Sequence, residues 1–127
     1  MDRTIVNTAN APSAIGPYSQ AISAGDLVFC SGQLGLDPVS GQLVPGGTAA
    51  EAGQALRNLS SVLDAAGSSL AKVLKTTLFV TNLSDFSSLN EVYGTFFTQH
   101  PPARSTVQVA ALPRGACVEI EAIATLL

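Results

Sequence analysis

"TAAEAGQALRNLSSVLDAAGSSLAKVLKTTLFVTNL", residues 48–83, carries two periodicities on either side of one glycine. Up to Ala66 the apolar residues recur at helical spacing, with Ala52, Leu56, Leu59, Leu63 and Ala66 on one face. Thr48 and Glu51 stand in the T-x-x-E pattern of a capping box, in which each side chain satisfies an orphan donor of the first turn. Gly67 suits a left-handed C-terminal cap. Beyond it, "KVLKTTLFVTNL" (72–83) is rich in Val, Leu and Thr and predicts a central strand.

The flanks extend this pattern. A second helix is expected after residue 83, capped by Ser84 or Asp85, with Phe86, Leu89, Tyr93 and Phe96 or Phe97 as its buried stripe. It should stop before Pro101, since proline disfavours helical geometry in the residue before it. Residues 103–111 and 117–126 alternate and predict two strands joined in a hairpin by "LPRG". Towards the N-terminus, "RTIVNT" (3–8) reads as a short strand and "NAPSAIGPYSQ" (10–20) as an irregular loop. "AISAG" and "LVFCSGQLG" read as a hairpin around Gly25 and Asp26, and "DPVSGQLVPGG" as a long turn region. The order is three strands, helix, strand, helix, two strands. That order predicts an α+β fold over residues 1–127, a single domain with a mainly antiparallel sheet and both helices on one face. The other face is left bare. With 46% hydrophobic and only 12% charged residues, the bare face is expected to meet copies of the chain.

Composition excludes several classes. A net charge of -3 without a basic run argues against nucleic-acid binding. No run of about eighteen apolar residues exists to span a bilayer. "MDRTIVN" has the character of neither a signal nor a transit peptide. Cys30 and Cys117 lack metal-like spacing, so two free thiols in a reducing, cytoplasmic compartment are expected.

Arg104 stands at the start of its strand, one residue after two prolines. It is either an edge-strand arginine, solvated or paired with a carboxylate, or a fork that grips a planar anion with two parallel hydrogen bonds. On the last strand Val118, Ile120, Ala122 and Ala124 share one face, and Cys117, Glu119, Glu121 and Ile123 the other. The two acids either face solvent or line a polar cleft where one handles a proton. In the expected hairpin Gln108 lies opposite Glu119, which leaves Arg104 about 13 Å away along the strand. That is long for a small shared ligand within one chain, though not across a subunit contact. Tyr18 sits in a Gly-Pro loop from which a phenol can reach a cleft. Ser31 and Gly32 can offer a hydroxyl and a backbone N–H to an anion, or Gly32 can mark a bulge. Asn90 can hydrogen-bond across a cleft or simply face solvent. His100, the sole histidine, reads as a helix C-terminal cap. No nucleophile triad, phosphate loop or metal motif is visible.

"NAPSAIGPYSQAI", "SGQLGLDPVSGQLV", "VLKTTLFVTNLSDFSSLNEVY" and "PARSTVQVAALPRGACVEIEAIA" together resemble the Rid (YjgF) family of reactive-intermediate deaminases, end to end and in chain order. The resemblance implies a chorismate-mutase-like fold assembled as a homotrimer with clefts between subunits. It implies hydrolysis, without a cofactor, of small carboxylate-bearing enamines and imines such as 2-aminoacrylate, released by pyridoxal-phosphate enzymes. The products are 2-keto acids and ammonia. It assigns Arg104 to the substrate carboxylate and Glu119 to the attacking water, and it places Tyr18, Ser31, Gly32, Asn90 and Thr106 at the cleft. Many members carry cysteine where Thr106 stands, and "HPPAR" lacks the aromatic residue often found before the arginine. Two other readings compete: a non-catalytic sensor of 2-keto or amino acids, and the endoribonuclease or translation-inhibitor activity ascribed to some relatives.

Overall fold

A computed structural model describes residues 1–127. Six strands form one sheet: β1 (Arg3–Val6), β2 (Ala21–Ala24), β3 (Leu27–Leu34), β4 (Val73–Val80), β5 (Ala103–Gln108) and β6 (Val118–Thr125). The spatial order is β1-β2-β3-β6-β4-β5. Every pairing is antiparallel except β4 with β5. Two helices, α1 (Gly47–Ala66) and α2 (Phe86–Phe96), complete the α+β fold. The expected element order holds throughout, and Ala24 pairs Leu27 across the tight Gly25–Asp26 turn.

Period-two burial decides where the helices lie. Val118, Ile120, Ala122 and Ala124 of β6 are buried, as are Thr76, Leu78 and Val80 of β4 and Val28 and Cys30 of β3. Against them packs the stripe of α1, where Ala52, Ala55, Leu56, Leu59, Val62 and Leu63 are wholly buried. Each fully buried leucine contributes roughly 1.5–3 kcal/mol of transfer free energy. Polar contacts then fix the position of α1 along the sheet. Asn58, also buried, donates from Nδ2 to Leu34 O (3.1 Å) and Leu36 O (2.8 Å). Glu51 Oε1 accepts the backbone N–H of Cys117 at 2.8 Å. A Cβ on Gly35 would lie 2.6 Å from Glu51 Cα, so glycine alone lets the chain leaving β3 pass this close to the helix.

Four local expectations give way. Thr48 and Glu51 do not form a capping box: the cap position is Gly46, at φ 116°, and no side chain caps the helix. Thr48 instead donates to Asp85 Oδ2 (2.7 Å), and Glu51 reaches Cys117, just before β6, as described. Asp85 stands at the expected N-cap of α2, but the expected capping hydrogen bond is missing, and its carboxylate accepts from Thr48 instead. His100 is no helix cap; α2 ends at Phe96, with Phe97 N donating to Tyr93 O. Phe86 is 41% exposed rather than part of the buried stripe.

The largest correction concerns the last two strands. β5 and β6 are not a hairpin, and Gln108 does not face Glu119. β5 returns from α2 to run parallel beside β4, and "LPRG" carries the chain round the end of β4 to its other edge. Arg114 there takes a left-handed conformation, φ 65°. β4, buried on its helix face and paired on both edges, is the centre of this half of the sheet.

No helix covers the opposite face. Across it, Ile5, Ile22, Phe29, Ile123, Lys75 and Ala103 stand in register over all six strands. A second row runs Leu34, Glu119, Phe79 and Val107. Ile5, Phe29 and Val107 are 63%, 44% and 42% exposed. No helix is long and apolar enough to cross a membrane.

Candidate active site

Arg104 and Thr106 alternate on β5, and their register partners on β4 are Thr76 and Leu78. Those partners are buried beneath the helices. Both β5 side chains therefore point to the helix side, against α2. α2 presents Phe86, Asn90 and Tyr93 to them at spacings of four and three residues. The Arg104 guanidinium carbon lies 4.8 Å from the Tyr93 ring centroid and 5.4 Å from that of Phe86. Tyr93 Oη and Thr76 Oγ1 share a buried hydrogen bond of 2.8 Å. Asn90 Oδ1 and Thr106 Oγ1 are buried without any partner. An unmade bond at a buried polar atom costs about 1–3 kcal/mol. A guanidinium on β5 and two such atoms on β5 and α2 are consistent with this corner receiving a polar group from outside the chain.

The second group of residues lies on the open side of the sheet. Between the pairs Cys30–Ala122 and Gln33–Ile120, Ser31 and Gly32 together oppose Glu121, so β3 bulges here. The Glu119 carboxylate occupies the space a side chain at position 32 would take: a Cβ there would stand 2.7 Å from Glu119 Cδ. Burial, and then the charge of Glu121, push the Glu119 carboxyl above its ordinary value. Tyr18, Gly32, Glu119, Glu121 and Arg114 line a cavity of about 610 Å³. Arg114 is steadied by a 2.9 Å bond from Nη2 to Gly41 O. Tyr18 Oη accepts from Ile15 N (3.2 Å), which leaves its own proton free to donate.

Both protons of Ser31 are engaged within the chain. Its hydroxyl donates to Ser19 O (2.6 Å) and its N–H to Gln20 O (2.9 Å), so both protons fasten the 8–20 loop to β3. Gln20, a residue the sequence did not single out, completes that fastening from a buried position. It accepts from Thr8 N (2.7 Å) and donates to Thr8 O (3.1 Å) and Pro12 O (2.9 Å). Nothing in "PYSQAI" distinguishes such a glutamine from a solvated one. The aromatic pair under Arg104 was legible only as core. The thiols stay protonated at neutral pH, since burial pushes Cys30 up to about 12 and raises Cys117, which also lies beside Glu51.

The structure thus brings together Tyr18, Ser31, Gly32 and Glu119 on one side, and Arg104, Asn90 and Thr106 on the other. Within one chain it does not bring the two groups together. Glu119 is on the open face, Arg104 is on the helix face, and β4 lies between their strands.

The profile of a family described as endoribonuclease L-PSP matches residues 8–126. A mouse protein named 2-iminobutanoate/2-iminopropanoate deaminase is 55% identical over 96% of this chain and 90% of its own. Among solved structures, a Thermotoga maritima protein described as a putative endoribonuclease superposes with a TM-score of 0.93 at 48% identity, covering 96% of both chains. Escherichia coli TdcF with bound serine superposes at 0.91 with 44% identity, over 96% of this chain and 98% of its own.

Proposed function

The chain belongs to the endoribonuclease L-PSP family, and we propose that it is a deaminase that hydrolyses small 2-imino acids and their enamine tautomers to 2-keto acids and ammonia. The observation that carries this reading is the 55% identity, over nearly the whole chain, to a protein named for that activity. The site residues agree with it. The Arg104 fork suits a carboxylate held by two parallel hydrogen bonds. Glu119, on the backbone of Gly32 in a cavity, suits the management of one water.

The half-sites of a single chain face away from each other, which supports a site built between subunits. In our reading, the bare sheet face of one copy meets the α2–β5 edge of the next, and a homotrimer closes the ring. Arg104, Asn90 and Thr106 then come from one copy, and Tyr18, Gly32 and Glu119 from its neighbour. The apolar row from Ile5 to Ile123 supplies the surface that such assembly buries. Ser31 supports the site by holding the loop that carries Tyr18.

The chemistry asks for position more than power. The imine carbon is already electrophilic. Arg104 holds the substrate carboxylate, and Glu119 takes a proton from water as the water oxygen bonds to that carbon. Glu119 returns this proton to the nitrogen, the new hydroxyl gives up its own proton to the nitrogen as the carbonyl forms, and the C–N bond breaks to release ammonia. Fixing water and substrate in one geometry converts a bimolecular attack into a near-unimolecular one, and a carboxyl of raised proton affinity is the better base. The two free thiols fit a cytoplasmic setting. Against ribonuclease chemistry stand the net charge of -3 and a lone, exposed His100.

A coupled assay tests the reading. A pyridoxal-phosphate dehydratase generates 2-iminobutanoate or 2-iminopropanoate, and keto-acid formation is followed with semicarbazide as a trap for escaping imine. Acceleration by the wild type, abolished in Arg104→Ala and weakened in Glu119→Gln, is expected. No acceleration with either imine would leave a ligand-binding regulator and remove the enzyme.

A further inference from the structure

We propose that Phe86 and Tyr93 are positioning residues, whose rings form a seat that sets the Arg104 guanidinium for the substrate carboxylate. This rests on the deaminase reading for its substrate, but on the geometry of α2 and β5 for the seat itself. An arginine side chain carries about 2 kcal/mol of rotamer entropy, so a fork that must meet a carboxylate in one plane gains from being held beforehand. The guanidinium lies within the roughly 6 Å reach of a cation–π contact at both rings.

Tyr93 is itself immobilised. It is buried, its ring stacks at 4.7 Å on Phe97, and its hydroxyl is bonded to Thr76. Thr76 is also the register partner of Arg104, so ring and arginine are tied to the same point of β4. The chemistry of the seat matters as much as its place. A carboxylate beneath the guanidinium would consume its N–H donors. An aromatic face attracts the charge and accepts no in-plane hydrogen bond, so the fork stays open.

Phe86 is the residue to vary, because it is half-exposed and its loss leaves the core intact. In Phe86→Leu, KM for the imine should rise about two- to fivefold, the size of one partly exposed cation–π contact. kcat should change much less, and the melting temperature should stay within the error of the wild type. Phe86→Tyr, which keeps the ring, should restore KM. A second readout needs no turnover. The Arg104 Nε–H resonance, assigned by its loss in Arg104→Lys, should be ring-current shifted and should move in Phe86→Leu but not in Phe86→Tyr. Titration with 2-oxobutanoate should show the same order of affinities. If the wild type proved inactive, the resonance and the titration would still decide the seat. An unshifted resonance, or equal losses in Phe86→Leu and Phe86→Tyr, would overturn it.

Discussion

Glu119 holds its proton more tightly in the folded protein than in the unfolded chain, because burial and Glu121 both oppose its charge. Folding therefore favours the protonated form. The resulting stabilisation is complete below the unfolded value, near 4.5, and is lost as pH rises through the higher folded value. Glu119→Gln, which never ionises, should accordingly melt above the wild type at neutral pH, and the gap should close below pH 4.5; thermal melts across pH check this. A wild type that melts higher than the variant at neutral pH would mean the carboxylate is stabilised rather than strained. Beside it, Gly32→Ala would push the carboxylate off the β3 backbone. Misplacing a reacting group by about an ångström can cost on the order of a hundredfold, so kcat/KM should fall by that order while the sheet persists. Arg104→Lys keeps the charge but loses the fork, and kcat/KM should drop about 10- to 100-fold, the worth of one charge-assisted hydrogen bond.

At the scale of elements, α1 is held over the sheet by few polar contacts, and Asn58 is the most exacting. Asn58→Ala would orphan two backbone carbonyls at Leu34 and Leu36, at a cost of about 2–4 kcal/mol. Chemical denaturation should show that loss. The helix itself was legible because Ala52, Leu56, Leu59 and Leu63 recur at helical period, and the faces of β6 because Val118 to Ala124 alternate. Alternation reports which side of a sheet a residue faces and says nothing about which strand lies beside it. That is why β5 and β6 read as a hairpin although β4 separates them. The capping pattern failed for a related reason: Thr48 and Glu51 found partners in Asp85 and Cys117, distant in sequence, that bind them in place of the helix end. Gln20 and the Phe86–Tyr93 seat were invisible because their roles depend on neighbours brought by the fold.

The whole molecule presents half of its proposed site on each side of one sheet, and the bare face between is apolar where Ile5, Ile22, Phe29 and Ile123 align. Phe29→Asp places a charge in that row, and light scattering should show folded, inactive monomers where the proposed trimer is expected for the wild type. The most direct test of a shared site is subunit mixing. Arg104→Ala is expected to be inactive alone, and Glu119→Gln to keep only a small fraction of the wild-type rate. Unfolded together in equal amounts and refolded, random assemblies should contain intact Arg104–Glu119 pairs at about a quarter of their sites. Recovery of about a quarter of the wild-type rate is predicted. If the mixture gains nothing over its components while size and circular dichroism show native mixed oligomers, both residues act from the same chain and the intersubunit site is wrong.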